Sequence, residues 1–302
     1  MHIFYLLLPV IYLFLGVFIK KYNLFQIDIK NILSTLLTKI LIPIVIIYNT
    51  ANYNSNLGYI VLGTMLIMLI LCGIVSIIRF NIFFNSLFQH KSDYLSFFYL
   101  NIGWLGLPIA QSLFGEQASN IMLSAYIGSS IFGNTISPSI LLFKGINVKN
   151  LFNILKLPPV IALFIGFMLI PISDYLYIFN NIYIICKFLL SFLGMLLLGM
   201  WLYGYKISLT DLKQSFYFSL LRGLFIAIII YFCLKVANYY NIELITSNYL
   251  TFYLFAFLPP AANIIALESY YLKTGHSAKT IASGTIISFV FILIYAIFIS
   301  FL

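Results

Sequence analysis

Two short stretches carry the residue types that could do chemistry in an otherwise apolar chain. The first, Asn101-Ile-Gly-Trp-Leu-Gly-Leu-Pro108, puts Gly103, Gly106 and Pro108 within six residues. Gly gives up backbone entropy in a helix, and Pro removes a donor and clashes with the preceding turn, so a helix is predicted to stop and restart there. The second, Leu258-Pro259-Pro260-Ala261-Ala262-Asn263, interrupts another apolar segment roughly 150 residues later. In hydrocarbon such breaks are tolerated only inside protein or beside a wet cavity. Each restart supplies a helix N-terminus with free N–H groups and a partial charge of about +0.5. Pro108, with Pro259 or Pro260, suits the first helical turn. Two such ends converging near a bilayer midplane make a place for a carboxylate. The candidate binding residues are therefore Asn101, Gly103, Gly106, Leu107, Pro108, Pro259, Pro260, Ala261 and Asn263. Asn101 and Asn263 either contact a ligand or ion or tie helices together through amide hydrogen bonds.

Asn134 and Glu268 are the candidates for ion or proton coupling. Glu268 lies eight residues past Pro260, roughly 12 Å along a helix; it either carries a proton, pairs a cation, or snorkels from a helix end. Lys39, four residues before Pro43, either attracts an anion or snorkels. Absences point away from an enzyme. No two carboxylates lie together near a midplane position, and His2, His90 and His276 are scattered over a terminus and loops, so no metal centre is expected. No Walker-type glycine loop is present to bind a nucleotide. Neither a catalytic group nor an organic cofactor is expected; the only accessory species would be Na+ or H+ as a coupling ion.

The elements that must position these residues are membrane helices. With 63% hydrophobic and 8% charged residues, and a mean hydropathy of +1.08, the chain is far from a soluble globule, whose charged share is about a quarter. The net charge of +9 is spread singly or in pairs between apolar segments, as orientation signals are, and not gathered into a nucleic-acid surface. Cys72, Cys186 and Cys233 fall inside apolar segments without metal or redox spacing. Counting apolar runs predicts ten spans: Ile3–Ile19, Leu33–Tyr48, Tyr59–Ile78, Leu95–Phe114, Ile121–Phe143, Leu157–Ile172, Ile182–Tyr203, Phe216–Leu234, Tyr249–Leu267 and Ile281–Leu302. The first is read as a retained span, not a signal peptide. Odd-numbered connections hold the basic residues, among them Lys20, Lys21, Lys30, Arg79, Lys91, Lys144, Lys149, Lys206, Lys273 and Lys279. Both termini are therefore expected outside a cell (inner or plasma) membrane. Pro9-Val-Ile-Tyr-Leu-Phe-Leu-Gly16 matches Pro159-Val-Ile-Ala-Leu-Phe-Ile-Gly166 at six of eight positions with a shift of 150. Five spans per repeat, an odd number, turn the second copy upside down. The expected architecture is an all-α polytopic membrane protein of two inverted five-helix repeats, residues 1–148 and 149–302, with the fourth and ninth helices broken and crossing.

These residues also carry a resemblance. Asn101 to Pro108 followed by Leu113-Phe-Gly115 resembles the first signature of the auxin efflux carrier family of membrane transporters. Leu258 to Asn263 followed by Ala266-Leu-Glu268 and Tyr270 resembles the second; Ile42-Pro43 and the glycines Gly194, Gly199 and Gly204 fit as well. The resemblance implies a fold related to bile-acid symporters, with helices 1, 2, 6 and 7 as a scaffold and helices 3–5 and 8–10 as a moving transport domain. It implies a secondary transporter, in bacteria a malonate- or malate-type permease, that carries a small organic anion by an elevator-like motion. Sodium coupling, proton coupling or none is compatible with it, and so is a homodimer. The alternatives are a channel-like passive facilitator and a sodium-coupled symporter of a bile-acid-type anion. No nucleic-acid partner is expected; the bilayer and the anion are.

Overall fold

The computed structural model describes residues 2–22, 28–52, 58–78, 87–142, 155–203 and 206–301. Arg79, Lys144, Lys149 and Gly204, and the division at residues 148 and 149, lie outside the described residues. Among the described residues there is no strand, only a single isolated β-bridge between helices. In chain order the helices are α1 (His2–Lys21), α2 (Ile29–Leu36), α3 (Ile42–Ala51), α4 (Gly58–Ile78), α5 (Lys91–Phe98), α6 (Leu107–Phe114), α7 (Glu116–Leu142), α8 (Pro158–Leu169), α9 (Asn180–Leu202), α10 (Leu209–Tyr239), α11 (Glu243–Ser247), α12 (Tyr249–Tyr253), α13 (Asn263–Leu272) and α14 (Ser277–Ser300). Among the described residues five stretches are long and apolar enough to cross a membrane: Ile29–Tyr48, Gly58–Ile78, Tyr175–Leu202, Leu209–Tyr239 and Ser277–Ser300. Large apolar side chains such as Phe14, Ile77, Met168, Ile178 and Leu293 stand exposed on the outside. In water so much exposed apolar surface would drive association; in a bilayer it is the solvated face.

Helix α2 runs into α3 through a π turn, Leu37–Leu41, and α6 is preceded by another, Ile102–Gly106. Each π turn ends two residues before a proline, Pro43 and Pro108 respectively. Proline cannot donate to the carbonyl four residues back, so the carbonyls of Lys39 and Trp104 lose their α-helical partners, and the wider turn accommodates the defect.

Packing follows small residues. Helix α1 lies along α9, where a Cβ on Gly16 would fall on the Leu196 carbonyl oxygen and one on Gly199 on the Leu13 carbonyl oxygen. Only glycine lets the two backbones approach that closely. In the same way α3 lies along α8, with Gly166 against Thr50. Helix α4 pairs with α7, and α10 pairs with α14. The buried centre is built from the interrupted segments themselves: Phe97, Phe98, Leu100 and Ile102 from one, Phe255, Leu258, Ile264 and Ile265 from the other.

Candidate functional site

Both interruptions are present, and they pair with each other. After α5 the chain becomes extended at Tyr99 (φ −91°, ψ 104°). After the 3-10 turn Leu254–Phe257 it becomes extended at Leu258 (φ −71°, ψ 142°). Leu100 and Pro260 form an antiparallel bridge, in which the Asn101 N–H donates to the Pro259 carbonyl at 2.8 Å and the Ala261 N–H donates to the Tyr99 carbonyl at 2.8 Å. In this register Leu100 and Pro260 form the non-hydrogen-bonded pair, so the donor that Pro260 lacks is not needed. Pro259 contributes only its carbonyl. The two prolines thus end one helix without damaging the pairing that replaces it.

This corrects the expected placement of Pro259 and Pro260, while Pro108 does stand in the first turn of α6. Pro259 and Pro260 stand in the extended bridge, and the first helical residue after them is Asn263. Pro108 is the second residue of α6, but Ile102–Gly106 is already helical in π form, the Gly106 N–H reaching back to the Asn101 carbonyl at 3.2 Å. The fresh N-terminus therefore lies at Ile102, before the Gly-Pro run and not within it. The reason is that a π turn absorbs the missing donor of Pro108 without unwinding the chain.

A small cavity of about 10 Å³ lies between the two restarts. Asn101, Ile102 and Gly103 line it from one segment and Ala261, Ala262 and Asn263 from the other, with Tyr99, Tyr126 and Ser129 closing the sides. That volume holds one water-sized group. Of the sequence-derived residues, Asn101, Gly103, Ala261 and Asn263 are brought together here. Gly106 sits one turn deeper, where an added Cβ would meet the Leu258 side chain at 3.0 Å, and Leu107 is half-buried at the start of α6. The Asn263 amide donates to the Tyr99 hydroxyl at 3.2 Å, and Asn134 faces the same hydroxyl. Asn134 is fully buried and donates to the Ser130 hydroxyl at 3.2 Å. Beside it, a larger cavity of about 390 Å³ shares Asn101 and Ala262 with the small one. One wall is Leu13, Phe14, Leu198 and Leu202 of α1 and α9; the other includes Leu105, Ile281, Ile286 and Phe289.

Two cations stand close to this centre, and both have roles that sequence reasoning missed. Lys187 of α9 lies over the rings of Tyr126, 5.2 Å from the centroid, and Tyr183, 5.9 Å. Tyr183 in turn stacks on Tyr48 with centroids 4.2 Å apart. Arg222 of α10 is completely buried. Its guanidinium donates to the Ser96 carbonyl at 3.0 Å, in the last turn of α5, and to the Leu258 carbonyl, at the end of the other interrupted segment. The signal for Arg222 was available as a lone charge in the middle of an apolar run.

Glu268 stands at the N-terminus of α14. It is fully buried, and its oxygens accept from the Thr274 hydroxyl at 2.7 Å and from the N–H groups of His276 at 2.9 Å and Ser277 at 2.8 Å. It caps the N-terminus of α14 and does not snorkel. Lys39 is exposed, 5.6 Å from the Tyr270 ring centroid. His90 and His276, far apart in sequence, stack with centroids 4.0 Å apart and planes within 5°. They border a polar cavity of about 210 Å³ shared with Asp93, Asp211, Gln214 and Lys279, at the N-terminal ends of α5, α10 and α14. Lys279 pairs with Asp211 at 2.6 Å, and burial pushes the Asp93 carboxyl above the usual carboxylate range. Among the described residues no three His, Cys, Asp or Glu side chains gather as metal ligands.

Comparison of the chain with protein-family models and with curated proteins finds no match.

Proposed function

We propose that this chain is a secondary carrier of a small organic anion, of the auxin efflux carrier type, in which ten spans form two inverted repeats around the paired breaks. The observation that carries this reading is the small cavity set between two helix N-termini and flanked by Asn101 and Asn263. Helix N-termini favour negative charge and offer N–H donors to it. Lys187, held over Tyr126 on one side of that cavity, adds positive potential to the same place. The helix pairs support the repeat: an inverted repeat exchanges span one with six and two with seven, which turns the α1 with α9 contact into the α8 with α3 contact, and both are present. The same exchange turns the α4 with α7 pair into the α10 with α14 pair.

The two cavities together favour an amphipathic substrate. A carboxylate oxygen fits the polar niche at Asn101 and Asn263, and the neighbouring space, lined almost wholly by aliphatic and aromatic side chains, suits an apolar body. A dicarboxylate such as malate would have to bury a second charge there without a partner. Because that space separates α1 and α9 from the paired breaks, it is also the surface along which one body would slide past the other.

The test is uptake into proteoliposomes of a panel of apolar monocarboxylates and short dicarboxylates, with sodium and pH gradients imposed separately. Saturable uptake of a monocarboxylate is expected, and Asn101→Ala and Asn263→Ala each abolish it while the protein still reaches the membrane. Uptake undiminished in both variants removes the site; flux that never saturates with concentration replaces the carrier with a passive facilitator.

A further inference from the structure

We infer that Arg222 is a resident cation: its guanidinium stands at the carbonyl ends of both interrupted helices, where a coupling cation would otherwise be held, and the chain therefore works without sodium. The geometry begins with depth. Arg222 lies 13 residues from Leu209 and 17 from Tyr239 within α10, which puts it about 20 Å from one helix end and about 25 Å from the other. It is too deep to snorkel to either surface. Its two bonded nitrogens reach carbonyls and no carboxylate: Ser96 in the last turn of α5, and Leu258 immediately after the 3-10 turn Leu254–Phe257. Asp93, Asp211 and Glu268 hydrogen-bond elsewhere.

The charge balance follows from the helices. Each C-terminus carries about −0.5 elementary charge on carbonyls that lack intrahelical partners. Two such ends amount to about −1, which one guanidinium neutralises. A helix whose carbonyls point at an empty position would recruit a small hard cation; here the position is filled by a side chain that never leaves. Gly223 makes the approach possible, because a Cβ there would stand 2.8 Å from the Ala256 carbonyl oxygen and hold α10 away. The terminal nitrogens are committed, so Arg222 is not free to hold the substrate carboxylate, and Phe218 lies beneath it with its ring centroid 5.8 Å from Cζ. A sodium ion at the same carbonyls would meet a like charge at contact distance.

The cation assignment stands on this geometry alone, while its consequence for transport rests on the carrier reading. The experiment therefore separates the two. Thermal unfolding of the purified full chain in detergent is followed in sodium chloride and in choline chloride of equal ionic strength. Wild type is expected to unfold at the same midpoint in both salts. Arg222→Ala lowers the midpoint by about 5 °C or more in choline chloride, and sodium restores part of the loss by entering the vacated place. Arg222→Lys, which keeps the charge with a different shape, unfolds closer to wild type and ignores sodium. A sodium-specific rise in the wild-type midpoint overturns the inference. So does Arg222→Lys falling as far as Arg222→Ala, or an alanine variant as stable as wild type in choline. Should the alanine variant fail to fold, wild type and Arg222→Lys still decide the matter. In the proteoliposome assay, uptake driven by a sodium gradient overturns the inference even where the carrier reading stands. Absence of uptake of every panel member removes the carrier reading and leaves the unfolding result to stand by itself.

Discussion

Replacing Gly103 by Ala tests how tightly the cavity wall is set. The new Cβ would lie 2.5 Å from Cε2 of Tyr126 and 3.1 Å from its Cγ. Carbon atoms rest at about 3.5 to 4.0 Å, so the ring has to retreat by about 1 Å. It has little freedom to do so, because Tyr126 is 5% exposed, and Lys187 lies over one face of its ring. Overpacking of this kind costs about 1 to 3 kcal/mol, and about 2 kcal/mol corresponds to a fall of about 3 °C in Tm for a chain of this length. The cause is specific and can be relieved: Tyr126→Leu removes the ring, so Gly103→Ala added to Tyr126→Leu is expected to cost little more than Tyr126→Leu alone. The double-mutant cycle should return a coupling of about 1 to 2 kcal/mol, read from thermal unfolding of the four purified proteins. A coupling near zero, or a Gly103→Ala variant as stable as wild type, refutes the reasoning and frees Gly103 to be a ligand-approach position instead of a packing one.

Two further outcomes follow from the polar groups around the centre. Glu268→Ala leaves two N–H groups at the start of α14, that of Ser277 buried, without an acceptor, which costs about 1 to 2 kcal/mol and about 2 to 3 °C in Tm. The pH profile of uptake should not change; a flattened profile with unaltered stability would make Glu268 a coupling group. Lys187→Gln removes the positive charge held over Tyr126; a unit charge acting on an anion across a working separation of ~10 Å is worth about 1.7 kcal/mol at an effective dielectric of about 20. KM for a carboxylate should rise about fifteen- to twentyfold with kcat little altered, and an unchanged KM would confine Lys187 to its tyrosine contacts.

The sequence made the interruptions legible because Gly and Pro act locally, through the very bonds they remove. It misjudged where each helix restarts by a few residues, since whether a missing donor unwinds the chain or widens one turn depends on what packs around it. At Pro108 the π turn is held by Tyr126 and Leu258 against Gly103 and Gly106; at Pro259 and Pro260 the partner is the other segment's backbone. Neither partner is visible in a single apolar run. The stacking of His90 on His276 joins loops far apart in sequence and left no local trace. Arg222 is the opposite case. A solitary arginine within Phe216–Leu234 is a plain signal of a buried charge, but counting charges to orient loops passes over any that lie inside a span.

The bridge, the guanidinium and the amides also determine what can move. Asn101 to Pro259 and Ala261 to Tyr99 tie the two segments by backbone, Asn263 to Tyr99 ties them by side chain, and Arg222 ties both to α10. Separating the segments would break all of these inside hydrocarbon, where each unsatisfied group costs several kcal/mol. Among the described residues the polar ties between α9 and the crossing are few, the Trp201 indole donating to the Ser269 hydroxyl of α13 at 3.3 Å, and the cavity between α1 and α9 on one side and Leu105 and Phe289 on the other is lined almost wholly by apolar side chains. Sliding at that surface exchanges one set of dispersion contacts for another at little cost. On the carrier reading, then, alternating access cannot come from opening the crossing; the crossing must travel whole, carrying its niche past α1 and α9. A cysteine pair placed across the apolar cavity, at Leu13 and Phe289, should arrest uptake when crosslinked and restore it on reduction. A pair joining Leu100 to Pro260 should leave uptake intact, and arrest by that pair would mean that the niche opens by parting the two segments.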